Sequence, residues 1–164
     1  MKNDNDDKMD YLQKVLLVII ANFIPTTEQI GGITLGLSLG LDSFTVLLAS
    51  LTVNCLLFFP IYFGLKLLYK KVFNKINLFE KYLERTRKKG KPYINKYGVL
   101  GLTVFVALPS PLTGTYTASI LAWFMNLDWK KSFLAIAIGS IIGALVIFFG
   151  YFGIFNFLKI ILNF

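Results

Sequence analysis

The chain has 164 residues, enough for one domain, of which 55% are apolar, and its 17 basic residues outnumber its 9 acidic ones for a net charge of +8. A mean hydropathy of +0.64 sets it apart from an ordinary soluble domain. The lack of histidine and the lone Cys55 exclude a disulfide framework, a thiolate metal site and the commonest general base.

The first fourteen residues, MKNDNDDKMDYLQK, carry four aspartates and no positive n-region or cleavage site. They read as a polar, retained, disordered tail ahead of a single membrane domain, 15–164. Across 15–65 the only formal charges are Glu28 and Asp42, and Pro25, Gly31, Gly32 and Gly36 interrupt the run. A spanning helix needs about 20 apolar residues, and pieces of roughly 10 to 14 suit re-entrant or interfacial segments. Segments 15–24 and 30–41 are of the short kind, and 43–65 is of the long kind.

Segment 66–97 holds eleven basic residues against Glu80 and Glu84. From its edge inward, Leu65, Leu68, Tyr69, Val72, Ile76, Phe79 and Leu83 recur at helical spacing. It reads as an amphipathic interfacial helix ended by Gly90 and Pro92. Lys70, Lys71, Lys75, Arg85, Arg87, Lys88 and Lys89 are its candidate contacts to anionic lipid, and no nucleic-acid recognition motif accompanies the charge. The remaining segments are 98–108, a break at Pro109 and Pro111, 112–126, and the long 132–164.

The halves 15–65 and 98–164 thus share one grammar of short, break, short, long. At an offset of 86 residues Pro25 falls on Pro111, Thr27 on Thr113, and Leu41-Asp42 on Leu127-Asp128, within ten identities over the forty positions 25–64. We read an internal repeat. The expected fold is all-α: two inverted repeats, each a Pro-broken re-entrant hairpin followed by a transmembrane helix, joined by the basic helix. Inverted topology puts 66–96 and Lys130-Lys131 on one side, cytoplasmic by the positive-inside rule, in a multi-pass cell membrane protein. A four-helix bundle with kinked first and third helices is the alternative, because spanning helices tolerate proline.

The chemistry gathers at the breaks. The first, Pro25-Thr26-Thr27-Glu28-Gln29-Ile30-Gly31-Gly32, contains an acid inside an apolar stretch. A carboxylate at bilayer depth costs on the order of 3 kcal/mol and calls for a partner, a proton or a wet cavity. A cap on the following half-helix would be a purely structural role for it. The second break offers Thr113, Gly114, Thr115, Tyr116 and Thr117 without charge. Two dipping hairpins would bring Thr26, Thr27, Glu28 and Gln29 opposite these residues near the midplane. No catalytic constellation, metal site or cofactor motif is present.

The first break resembles the P-x-x-E-L-R-G-G-I-P-L-G signature of the small multi-drug export family, matching at Pro25, Glu28, Gly31, Gly32, Ile33, Leu35 and Gly36. The second is similar to that family's P-L-P-G-T-G-A-W-T-G segment at Pro109, Pro111, Thr113, Gly114 and Thr117, with Tyr116 for the aromatic. The turn 126–131 follows its G-L-D-F-K-K. Gln29, Ile30 and Thr34 depart from the signature, Ile30 standing where the family has Arg.

The resemblance implies a prokaryotic inner-membrane exporter, related to the DedA group with its opposed re-entrant hairpins. The leading function is therefore proton-coupled export of a small cationic or amphipathic compound, with Glu28 cycling between proton and cargo. A flippase or scramblase for a polyprenyl phosphate carrier, and a non-transporting membrane scaffold, stay open beside it. So short a set of spans also leads us to expect a homodimer.

Overall fold

The structure, a computed structural model, describes residues 9–71, 97–109 and 113–162. These residues form six helices, in chain order α1 (Tyr11–Phe23), α2 (Glu28–Ser38), α3 (Ser43–Lys71), α4 (Tyr97–Ala107), α5 (Thr115–Phe124) and α6 (Trp129–Leu162).

Helix α1 begins inside the segment expected to be a tail. Asp10 and Gln13 form a capping box, with Tyr11 N–H donating to Asp10 Oδ1 at 2.8 Å and Asp10 N–H to Gln13 Oε1 at 3.1 Å. Two orphan donors are thereby satisfied, which starts the helix ahead of its apolar run. It stops at Ile24, extended because Pro25 follows.

Helix α2 then folds back on α1. Gly32 lies against the Asn22 amide, Gly36 against Val18 and Val46, and Lys14 Nζ donates to Leu39 O at 2.9 Å. Contacts whose numbers rise on one helix as they fall on the other define an antiparallel hairpin. The glycines stand one turn apart on one face and let the two backbones approach.

The repeated Leu-Asp pair has a structural explanation. Helix α2 ends in a Schellman motif, in which Gly40 takes φ +74°, Leu41 N–H donates to Gly36 O and Gly40 N–H to Leu37 O. Asp42 next caps α3, its Oδ1 accepting from Thr45 N–H at 2.9 Å. A similar arrangement returns 86 residues on, with Asn in place of Gly: Asn126 has φ +55°, Leu127 N–H donates to Ala122 O, and Asp128 Oδ1 accepts from Lys131 N–H at 3.0 Å. The starts Tyr11 and Tyr97, the ends Ser38 and Phe124, and the starts Ser43 and Trp129 are each 86 apart as well.

Helices α3 and α6 are long and apolar enough to cross a bilayer. The 27 residues Ser43–Tyr69 rise about 40 Å, against a hydrocarbon core of about 30 Å. The two helices run antiparallel, since the Phe63 ring lies 5.8 Å from Trp129 and Phe59 5.0 Å from Phe133. The Asp42 and Asp128 turns therefore occupy opposite ends of the molecule, with Lys66 at the Asp128 end.

Polarity is arranged inside out. Phe44, Leu100 and Phe149 are 74%, 76% and 67% exposed, while Asn22, Ser50, Asn54 and Thr115 are at most 1% exposed. A lipid-facing surface has no need to hide apolar side chains, whereas polar ones must find partners within the bundle. The basic residues 72–96 and the side chains of Lys70 and Lys71 lie outside the described residues, as do the interfacial helix expected there and Pro111.

Candidate functional site

The tips of the two halves meet at Glu28. This residue opens α2 with φ +36°, a left-handed backbone that costs a non-glycine residue about 1 to 2 kcal/mol. Its carboxylate leaves its own helix and accepts from Thr115 N–H, at the start of α5, at 2.7 Å, with the Tyr116 N–H alongside. Helix α5 has no side-chain cap of its own, because Gly114 stands at its N-cap. A carboxylate at a helix N-terminus satisfies orphan N–H groups and opposes the positive end of the helix dipole. Glu28 therefore caps a helix of the opposite half. A β-carbon on Gly114 would collide with this carboxylate.

From Thr115 a chain of buried hydrogen bonds runs through the bundle. Thr115 Oγ1 donates to Asn54 Oδ1 at 3.1 Å, Asn54 Nδ2 to Asn22 Oδ1 at 3.1 Å, and Asn22 Nδ2 to Ser50 Oγ at 3.1 Å. The chain joins α5, α3 and α1. On the other side Gln29 Nε2 donates to Ser140 O of α6 at 2.9 Å. Gln29 and Thr115 are counterparts at the 86-residue offset, and so are Asn54 and Ser140. The same two pairs of positions therefore meet, Thr115 through the Asn54 side chain and Gln29 through the Ser140 backbone carbonyl. The Ser140 hydroxyl has no hydrogen-bond partner among the described residues, whereas the longer Asn54 bridges two neighbours.

A cavity of about 20 Å³ sits between the tips, lined by Thr26, Thr27, Glu28, Gln29, Ile30, Asn54, Pro109, Thr113, Gly114 and Thr115 among others. That is room for about one water-sized guest. Asn54 and Ser140 each lie eleven residues past Ser43 and Trp129, the first residues of their helices, or about 16 Å in, near mid-span.

Six of the eight side chains singled out from the sequence as binding candidates, Thr26, Thr27, Glu28, Gln29, Thr113 and Thr115, therefore share one cavity, together with Pro109 and Gly114 of the second break. Tyr116 and Thr117 do not line it, and Tyr116 instead donates its hydroxyl to Phe23 O at 2.8 Å, satisfying a carbonyl at the end of α1. Thr27 and Thr113 also bond backbone carbonyls, those of Ala21 at 3.3 Å and Leu108 at 2.6 Å. Gly31 packs on the Thr27 side chain. Sequence reasoning missed Asn22, Ser50 and Asn54. Their signal was polar side chains in uncharged apolar runs, with Ser50 and Asn54 one helical turn apart.

A chain whose described residues are helical, with two helices able to cross a bilayer, buried polar groups and an apolar exterior, is of the membrane-protein class. Residues 28–146 match the family described as "Putative small multi-drug export protein". The match takes in both hairpin tips and well over half of the chain, so the protein belongs to this family. Neither a curated protein nor a solved structure matches it.

Proposed function

We propose that the protein exports a small cationic or amphipathic compound across the membrane through the cavity between the two hairpin tips, with Glu28 holding proton and cargo in turn. The observation that carries this reading is the placement of the Glu28 carboxylate: buried, near mid-span, and bound to the first turn of a helix from the other half. A cation or proton arriving at Glu28 competes with the α5 N–H groups for the same oxygens. Binding at the cavity is thereby linked to the contact between the halves, which is the coupling a transporter needs.

The reading includes two inverted repeats with re-entrant hairpins. It is supported by the correspondence of positions, Thr115 on Asn54 and Gln29 on Ser140, since positions that meet in exchange are what a two-fold relation produces. Antiparallel α3 and α6 put that axis across the helices, in the plane of the bilayer. Ile30, half-buried at the cavity wall, brings no positive charge there, which favours a cationic guest over a phosphate.

The test is efflux from proteoliposomes loaded with a fluorescent monocation under an imposed proton gradient. The Glu28→Gln variant keeps the size of the side chain and removes its charge, and its efflux is expected to fall to the protein-free rate. Unchanged efflux in this variant refutes the reading.

A further inference from the structure

Beside the cavity lies a second space that the transport reading does not use. An apolar groove of about 490 Å³ runs along α6 past Ile147, Gly150, Tyr151 and Ile154, with Ile30 and Pro109 on its other wall. Ile30, Pro109 and Ile147 also wall the cavity at Glu28, so the two spaces adjoin. Groove residues Val146 and Ile154 are 47% and 64% exposed, which leaves the groove open sideways, toward lipid. Its polar groups are the hydroxyls of Thr34 and Tyr151, and Tyr151 OH lies 3.4 Å from Ser38 Oγ. Ser38 precedes the Asp42 turn, so the groove leads from mid-span to the end of the molecule opposite Lys130.

The counterpart place in the other half is bridged. Ile30 and Pro109 become Tyr116 and Phe23 under the 86-residue offset, and there the Tyr116 hydroxyl bonds the Phe23 carbonyl at 2.8 Å. One face is joined across the tips while its counterpart is open, an asymmetry that inverted repeats exchange during transport.

We infer that the groove is the binding site for the apolar body of a lipophilic monocation whose charge rests at Glu28, and that it opens laterally to the leaflet at the Asp42 end. The inference rests on the reading of Glu28 as the charge-binding group and adds substrate class and route. Charge complementarity selects the occupant: Glu28 is the charged side chain at the inner end of an otherwise uncharged slot. A hydrophilic cation would leave the slot empty, and a neutral lipid tail would leave the carboxylate without a counter-charge. The groove extends about 10 Å along α6 from Ile147 to Ile154, a length that suits an aromatic cation or a medium alkyl chain.

The test is equilibrium binding of radiolabelled tetraphenylphosphonium to purified protein in detergent micelles, corrected for uptake by protein-free micelles. Gly150→Trp fills the groove at a position where an added β-carbon meets nothing within 4 Å. Leu100→Trp, on an exposed site of α4, is the control. Wild type and Leu100→Trp are expected to bind, and Glu28→Gln and Gly150→Trp to bind at least tenfold more weakly. Alkyltrimethylammonium ions should compete about fourfold better for each methylene added up to the groove length, the factor that follows from burial of one CH₂. This series needs no variant and stands if Gly150→Trp does not fold.

Loss in Glu28→Gln with retention in folded Gly150→Trp overturns the groove and leaves the role of Glu28 intact. Wild type that exports methylammonium but binds no tetraphenylphosphonium, or that binds tetramethylammonium equally well, does the same. Binding that survives Glu28→Gln overturns both.

Discussion

The contact between Glu28 and α5 can be isolated with one methyl group. In Gly114→Ala the new β-carbon falls 2.5 Å from the Glu28 carboxyl carbon. Gly114 is extended, with φ −144° and ψ −170°, a backbone that alanine adopts freely, so the collision is the whole perturbation. The carboxylate must withdraw, and the Thr115 N–H, 2.7 Å from Oε2, loses a charged acceptor. Such a bond contributes about 1.5 to 3 kcal/mol. Gly114→Ala is therefore expected to destabilise the protein by about 2 kcal/mol. In a Glu28→Ala background the same methyl meets no carboxylate and should cost less than about 0.5 kcal/mol. The double-mutant cycle then returns a coupling of about 1.5 to 3 kcal/mol. The assay is unfolding in mixed micelles by SDS titration, followed by helical circular dichroism. Costs that add to within about 0.5 kcal/mol would refute the cap across the halves.

Four further outcomes follow from the same geometry. Asn54→Ala removes the bridge between Asn22 and Thr115 and should lower unfolding free energy by about 1 to 3 kcal/mol, whereas loss below about 0.3 kcal/mol, half the mean for a bond within a bilayer, would deny the network any structural weight. Gly40→Ala places a side chain at φ +74° and should cost about 1 kcal/mol, while Asn126→Gly at the counterpart should gain a few tenths; equal effects of one sign at both sites would contradict the paired caps. The Thr45 hydroxyl and then its amide hold the Asp42 carboxyl below its ordinary value, so this contribution to stability is present above the unfolded value of about 3.9 and is lost as pH falls through the lower folded one. Melting temperatures taken from about pH 6 down to 3 should fall less steeply in Asp42→Asn than in wild type. In a Cys55→Ser background, cysteines placed at Asp42 and Lys130 should react with an impermeant maleimide from opposite sides, and labelling from one side would restore the kinked four-helix bundle.

Much of the fold was legible in the chain because it is written in local chemistry. Pro25 and Pro109 follow the ends of α1 and α4, although Pro60 is accommodated inside α3, and Leu41-Asp42 with Leu127-Asp128 repeat because each pair serves a Schellman turn and an N-cap within a few residues. The start of α1 lies inside the aspartate-rich segment because Asp10 and Gln13 form a capping box there, so the charge of that segment does not mark the helix boundary. Glu28 stood out because an acid among apolar residues is costly anywhere in a bilayer.

Sequence alone thus determined the breaks at Pro25 and Pro109, the two long apolar helices and the candidate acid. The partners of those residues came only from tertiary structure. Nothing near Glu28 announces that its carboxylate caps α5, and nothing near Asn54 announces Asn22 or Thr115, because these bonds join residues whose separation along the chain carries no periodic signal. Local rules act over a turn or a cap, whereas a buried polar group takes whichever partner the packing of distant helices brings within 3 Å. In this protein that packing converts two similar halves into one asymmetric site, with the acid on one tip and the helix it caps on the other.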